Sequence, residues 1–485
     1  MGQKTWILIA GISLVTVYVV FVAVMRWGDT TPPELTLKTA FDVVGPETPL
    51  SIHIEDHETG LQSLSIRIEQ NRESFTLTDQ HFSSHGFLTP DGGDVKTFDF
   101  DITPFAGEDI PRRRGPASLI ITVKDYSWRG FFEGNFHRLT HQFSVKFTPP
   151  RLEVLSSHDP IPQGGSGIVF YRVSSDATTH GIQIGGAYFP GYPHPYRDDR
   201  QFAFIAVPYN AKSTQPIQLV AEDGLGNTAI QTLDYRIRRQ KWRSRQIRIS
   251  DRFIQKTVMP VIARTPEIED QGDPLKNFLA VNRTLRAQHQ EQIMTFALMS
   301  QPEFFWEGPF VQLSNSQVEA GFADHRRYVY HRKVVDTQDH LGFDLAVTKR
   351  YPVEAANSGT VIFADYFGIY GNTVIIDHGY GLQSLYAHLS SMDVKEEEWV
   401  SKKQIIGHSG TTGLAAGDHL HFSLLLHGVQ VNPKEWWDPQ WIKTRIADRL
   451  GLLPPEERPM QQRQPVSSPQ GPYFPPVHQR PPSDN

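Results

Sequence analysis

The chain has no cysteine in 485 residues. That excludes a disulfide framework, a thiolate nucleophile, a Cys-ligated zinc and an iron–sulfur cluster. It does not name a compartment, because an oxidising space permits disulfides without requiring them. A basic excess is missing too: 47 Lys and Arg stand against 53 Asp and Glu, for a formal charge of −6. Nucleic acid, which calls for a basic domain, is therefore not expected as a partner. Sustained heptads are absent as well, so no long coiled coil is expected. Any metal bound here must sit on imidazole and carboxylate. The length exceeds what one core ordinarily serves and suggests about three domains.

One long hydrophobic run is present. Trp6 to Met25 carries no charged residue, and twenty residues at about 1.5 Å each cross a hydrocarbon core of about 30 Å. A cleaved signal peptide has a shorter apolar region, about 7–15 residues, and a small-residue cleavage site. Here the run ends in Met25-Arg26-Trp27, and Trp6 and Trp27 bracket it as interfacial aromatics would. Residues 1–28 read as a single-pass membrane anchor with nearly all of the protein outside the cytoplasm.

Residues 32–148 alternate like a sheet protein, as in Leu61–Glu69 and Ser118–Asp125, with turns of Gly, Asp, Asn and Pro. A short internal repeat follows. Pro32-Pro33-Glu34-Leu35 is echoed by Pro149-Pro150-Arg151-Leu152, and the strand ending at Asp125 by the one running into Asp223-Gly224-Leu225-Gly226-Asn227. Two immunoglobulin-like β-sandwich domains are expected, over 32–148 and 149–240. Arg236 to Arg252 is densely basic, read as the solvated face of a strand because Ile237, Trp242 and Ile247 interleave with the charges. A helical connector is expected over 241–303, starting near Ser250-Asp251. Its long amphipathic helix, Pro274 to Ser300, would bury Phe278, Val281, Leu285 and Met294. The Pro- and Gln-rich segment 449–485 has too little apolar area to offset ordering entropy and reads as a disordered tail.

Chemistry concentrates between Phe322 and Pro433. Three segments alternate apolar with functional side chains: His340–Leu345, Gln383–Leu389 and His419–Leu424. Side chains on a strand alternate faces, so each segment would bury one side and present imidazole or carboxylate on the other. His340 and Asp344, four apart, would share one strand face, and His421 would add a third donor. Three N/O ligands with one open position is the arrangement of catalytic zinc. His388 and His419 would lie beside the metal, placed to take a proton from its water or steady an oxyanion. His325, His331, His378, His408 and His427 carry no such pattern and read as surface or core histidines.

His340-x-x-x-Asp344, Tyr386-Ala387-His388-Leu389 and His419-Leu420-His421-Phe422 resemble, in order and spacing, the lysostaphin-type (LytM-domain) zinc metallopeptidases. Gly359-Thr360-Val361, Asn372 to Gly379, Gly410-Thr411-Thr412-Gly413 and Val431-Asn432-Pro433 fit the same pattern. The resemblance covers about residues 305–435. It implies a mainly β chain with a C-terminal antiparallel β peptidase domain, assigned to 304–448, an open groove, and hydrolysis of peptide bonds in peptidoglycan. It also implies one Zn(2+) per peptidase domain on His340, Asp344 and His421, with His388 and His419 as the catalytic pair. The expected location is the inner (cytoplasmic) membrane, with the soluble domains facing the periplasm or cell wall. Protein partners could engage the β-sandwich domains or the Pro-rich tail.

Several positions depart from the family pattern. Ser423 stands where an acidic or amide residue commonly follows the His-x-His-Phe run, and Asp418 precedes His419 where a small residue is usual. Ala323 and Lys403 occupy glycine positions, and Glu397-Glu398 replaces a Gly-Asp turn. No ligand or catalytic imidazole is lost. A function of a different class, a non-catalytic LytM-like regulator that activates a separate cell-wall amidase, is disfavoured because such relatives typically lose ligands.

Overall fold

The computed structural model describes residues 3–39, 41–107, 110–156 and 159–452. It is mainly β, with one long apolar helix at the N-terminus. Two compact units divide it: Met1–Arg151 with Ser174–Thr179 and Ala221–Ala229, and Leu152–Val173 with His180–Val220 and Ile230–Asn485.

In the first unit, helix α1 (Gln3–Gly28) includes 24 residues, Thr5–Gly28, long and apolar enough to cross a membrane. It leads into two sheets. One orders the strands Val43–Val44, Phe136–Val145, Gly115–Asp125, Leu61–Gln70 and Glu73–His81; the other orders Glu34–Leu37, Leu50–Glu55 and Thr97–Ile102. The period-two pattern explains the packing. Leu50, Ile52 and Ile54 from one sheet and Leu64, Ile66 and Ile68 from the other point into a common core.

In the second unit, four strands carry the site: β1 (Lys333–His340), β2 (Phe343–Ala346), β3 (Leu382–Leu389) and β4 (Leu420–Leu426). β4 lies between β2 and β3, antiparallel to both, in the large sheet. β1 belongs to a separate three-stranded sheet with Ser244–Arg248 and Asp324–Tyr330. His340 and Asp344 therefore do not share a strand, contrary to expectation. A turn at Leu341-Gly342 separates them, because the chain leaves one sheet for another at that point.

The expected one-sided burial is also corrected: every residue of β3 and β4 is buried. Leu382, Tyr386, Leu389, Leu420, Phe422 and Leu424 join a core that also contains Phe202, Phe204 and Trp436. Leu385, Ala387 and Leu425 pack on the other face under Ile293, with Phe296 alongside. So the strands between Leu152 and Ile237 supply part of the peptidase core, and the helical segment roofs the sheet.

Ser250 caps that segment, its Oγ accepting from Phe253 N at 3.2 Å. The helix expected over Pro274–Ser300 forms in pieces: Pro274–Leu279, a widened turn Ala280–Leu285, and Arg286–Phe296. Phe278, Val281 and Leu285 are buried as expected, but Met294 is 41% exposed. Nine residues beyond Leu285, at about 100° each, place it on the opposite face, and Ile293 takes the inner position. Within the basic stretch, Ile237 and Ile249 are buried and the arginines mostly exposed. The tail begins later than 449, since Leu450 ends a short helix and is buried. The rest of the expected disordered tail, from 453, lies outside the described residues.

Candidate metal and catalytic site

His340 ends β1, Asp344 lies in β2 and His421 in β4, directly opposite Asp344 in the ladder. Their donor atoms converge. His340 Nε2 is 2.9 Å from Asp344 Oδ1 and 2.9 Å from His421 Nδ1, which is 3.1 Å from the same carboxylate oxygen. Tetrahedral zinc with bonds of about 2.0–2.1 Å separates its ligand atoms by about 3.3 Å.

The other ring nitrogens are engaged elsewhere, which fixes the tautomers. His340 Nδ1 donates to the Gly321 carbonyl at 3.0 Å, leaving Nε2 a lone pair. His421 Nε2 donates to Ser423 Oγ at 3.0 Å, and that hydroxyl donates to the Leu341 carbonyl at 2.8 Å. His421 thus presents the lone pair of Nδ1. Two lone pairs and a carboxylate oxygen meeting at one point repel unless a cation lies between them, so the donor set fits a metal ion.

His388 and His419 border this point. Their rings lie 4.9 Å apart, and His388 is 5.8 Å from the His421 ring. His388 Nδ1 donates to the Thr412 carbonyl at 2.8 Å, and His419 Nδ1 to the Gly417 carbonyl at 2.7 Å. Each keeps Nε2 free, and that of His419 is 3.5 Å from Asp344 Oδ1. His388 has a φ of 64°, a left-handed conformation that costs a residue with a Cβ about 1–2 kcal/mol.

Electrostatics separates these groups. Burial would raise the Asp344 carboxyl, but the imidazoles converging on it, His340 first and then His419 and His421, hold it well below the usual range. Burial carries His421 down to about 4, against the pull of Asp344. Burial and the neighbouring His419 and His421 take His388 well below the ordinary imidazole value. For His419 burial lowers and Asp344 raises, and the balance is upward.

All five expected side chains are brought together. His378 is elsewhere, buried with Nδ1 on the Ser358 carbonyl and Nε2 on Ser384 Oγ, both at 2.7 Å. His325 pairs with Asp339, and His427 packs against Phe189 and Tyr192.

Two participants were not foreseen. Arg326 Nη2 donates to Asp344 Oδ2 at 2.6 Å, leaving Oδ1 for the imidazoles. Its signal was the Asp324-x-Arg326 alternation in a strand that pairs with β1. Ser423, a departure from the family pattern, is the partner that orients His421. Asp418, another departure, ties the neighbouring loop through Ser409 Oγ at 2.6 Å and Arg350 N at 3.1 Å.

The large antiparallel sheet and the mixed imidazole–carboxylate centre define a metallopeptidase-type site. The sequence profile of Peptidase family M23 matches residues 338–433, and this part of the chain is an M23 peptidase domain. The DD-carboxypeptidase/endopeptidase Mpg of Neisseria meningitidis serogroup B is 40% identical over 94 residues, 19% of this chain and 22% of that protein. The peptidoglycan DD-endopeptidase ShyA of Vibrio cholerae serotype O1 is 34% identical over 119 residues, 24% of this chain and 27% of that protein. The chain thus spans about a quarter of the length of these relatives. Among solved structures, the lysostaphin catalytic domain of Staphylococcus simulans aligns with 27% identity and a TM-score of 0.24, covering 27% of this chain and 98% of that one.

Proposed function

We propose that this protein is a membrane-anchored zinc endopeptidase that hydrolyses peptide bonds in peptidoglycan. The observation that carries the reading is the meeting of His340 Nε2, His421 Nδ1 and Asp344 Oδ1 beside two further imidazoles with free Nε2 atoms. His340, Asp344 and His421 would hold the metal. When bound, zinc supplies a Lewis acid and lowers the pKa of water at neutral pH.

The remaining work falls to the chain's own groups. His388, kept neutral by burial, accepts a proton on Nε2 from the attacking water. His419, whose proton affinity Asp344 raises, donates from Nε2 to the developing oxyanion or the leaving amine. Arg326 and Ser423 position Asp344 and His421. The relatives named as DD-endopeptidases make the peptide cross-link the first bond to examine.

The anchor reading assigns α1 to the cytoplasmic membrane and the rest of the chain to the periplasmic or wall side. It draws support from bonds that hold the helix end to the following domain: Arg26 Nη1 donates to the Tyr126 carbonyl at 2.5 Å, and Trp27 Nε1 to the Trp128 carbonyl at 3.1 Å. A helix destined for removal has no use for such ties.

The test is digestion of isolated sacculi by the purified chain, with bound zinc quantified and products identified. Released muropeptides with a new amine, lost in His388→Ala at unchanged zinc content, are expected. Intact sacculi from the zinc-loaded protein, together with stimulation of a separate amidase, would replace this reading with the regulator.

A further inference from the structure

Within the first unit, two loops beside the end of α1 carry apolar side chains that no part of that unit covers. Phe131 is 97% exposed, and Phe87, Leu88 and Phe132 are at least half as open as in a free chain or nearly so. Phe87 and Phe132 belong to one aromatic cluster, and Leu88 and Phe131 adjoin them in sequence. Phe87 stacks on Trp128 at 4.7 Å and lies 5.5 Å from Phe132, and Trp128 meets Trp27 of α1 edge-on at 5.4 Å.

The backbone is shaped to display them. Gly130, Phe131 and Phe132 have φ of 58°, 57° and 74°. Phe132 packs on Trp128 at 5.5 Å, but Phe131, also left-handed and pointing wholly into solvent, gains no burial to offset that conformation.

Position along α1 gives the cluster its meaning. Tyr18 Oη donates to the Leu88 carbonyl at 3.1 Å. Tyr18 precedes Gly28 by ten residues, about 15 Å along the helix axis. The 86–89 loop therefore runs beside the apolar part of α1, below its end. Arg26, the charge in that stretch, is buried and bonded to the carbonyls of Tyr126 and Gly86.

We infer that Phe87, Leu88, Phe131 and Phe132 enter the lipid bilayer beside α1, seating the first β-sandwich on the membrane surface instead of leaving it on a free tether. The inference rests on the reading of α1 as a membrane anchor. The occupant is lipid because the patch continues the lipid-facing surface of α1, and a helix spanning the bilayer carries whatever is bonded alongside Tyr18 to the same depth.

The absence of native cysteine makes the test direct. Single variants Val15→Cys, Leu88→Cys, Phe131→Cys and Arg72→Cys of the full chain are labelled with bimane in nanodiscs holding one chain each. Arg72 is the aqueous control, beyond the far end of the strand Leu61–Gln70, about 30 Å from its start. Quenching by lipid-attached nitroxide is expected at 15, 88 and 131, at least about threefold above that at 72. Quenching at 15, with 88 and 131 no different from 72, overturns the inference and leaves the anchor standing. No quenching at 15 removes the anchor reading and the inference with it. Protection at 131 that appears only in discs holding two chains, with 131–131 cross-linking, assigns the face to a second copy and also overturns it.

Discussion

Among the described residues, two places gather three ligand-capable side chains with donor atoms within 4.8 Å of one another: His340, Asp344 and His421 in the second unit, and Asp29, Asp56 and Asp125 in the first. In the first set one carboxylate meets two imidazole lone pairs, and Arg326 holds its second oxygen. In the second, three buried carboxylates face one another. Asp29 accepts from Thr59 Oγ1 at 2.6 Å, Asp56 from Gly60 N at 2.5 Å, and Asp125 from Asn135 N at 2.7 Å.

The charge states diverge accordingly. Asp344 is held well below the ordinary carboxylate range despite its burial, whereas burial with Asp29 nearby raises Asp56 and takes Asp125 up to about 6. The internal repeat sharpens the contrast. Asp29 precedes Pro32-Pro33 as Lys146 precedes Pro149-Pro150. In the second copy the Lys146 ammonium bonds Asp223 at 2.7 Å and Asp176 at 2.8 Å. Proximity of ligand atoms alone does not make a catalytic centre; the mixture of donors and the fixed charges around them set what the group can do.

The largest expected effect is at the imidazole set. His421→Ala should release bound zinc and lower activity at least about a thousandfold, while Asp56→Asn should leave both within about twofold. Zinc analysis with a turnover assay checks this, and equal losses in the two variants would erase the contrast between the two sets. Ser423→Ala removes only the partner of His421 Nε2 and should weaken zinc affinity about 10- to 100-fold, read by competition with a chelator.

Lys146→Met tests the repeat. It leaves Asp223, whose side chain is 1% exposed, with its Leu225 and Asn227 hydrogen bonds but no counter-charge. Breaking a buried pair costs about 3–5 kcal/mol, but Lys146 is itself 25% exposed, so denaturant unfolding should register about 2 kcal/mol after discounting for solvent.

The pH response should differ in sign between the units. A raised carboxyl such as Asp125 binds its proton more tightly folded than unfolded, so its contribution is present in acid and lost as pH rises through about 6. The first unit should gain about 1 kcal/mol between pH 7 and pH 5. In the second unit burial lowers His289 and His378 to about 4 and His427 to about 3. Those imidazoles take up protons on unfolding, so stability is lost as pH falls below about 6.5. Asp377 at about 6 and Glu435 at about 7 offset part of that loss without reversing its sign. Hydrogen exchange on metal-free protein at both pH values, read separately at Ile66 and Leu424, tests the two signs.

The smallest effects concern backbone strain in the second unit. Ala323, Glu397 and Lys403 occupy positions where the family pattern has glycine, and all three have positive φ, at 59°, 67° and 67°. Glu397→Gly or Lys403→Gly should therefore stabilise by about 0.5–1 kcal/mol, measured as a rise in Tm without a change in activity.

Much of the site was legible before the fold. Alternation singled out the functional side of β2, β3 and β4, and a chain without cysteine left only imidazole and carboxylate as donors. The turn between His340 and Asp344 was not legible, because an i to i+4 spacing with alternating apolar residues also describes one continuous strand. Nor was the burial of Ser384 and Tyr386, since a period of two says which residues share a face and not how many layers cover it. Met294 was misplaced through loose spacing where Ile293 kept the helical phase.

The linear chain already contained the membrane-length helix, the β character, the donor types and the order of the motifs, because these depend on local periodicity and residue chemistry. It could not contain the tautomer of His421, the carboxylate grip of Arg326 or the core joining Phe204 to Trp436 and Leu424. Those depend on which distant strands become neighbours. Burial, which raises both Asp344 and Asp125, and the imidazoles that overcome it at Asp344 alone, exist only after that choice is made.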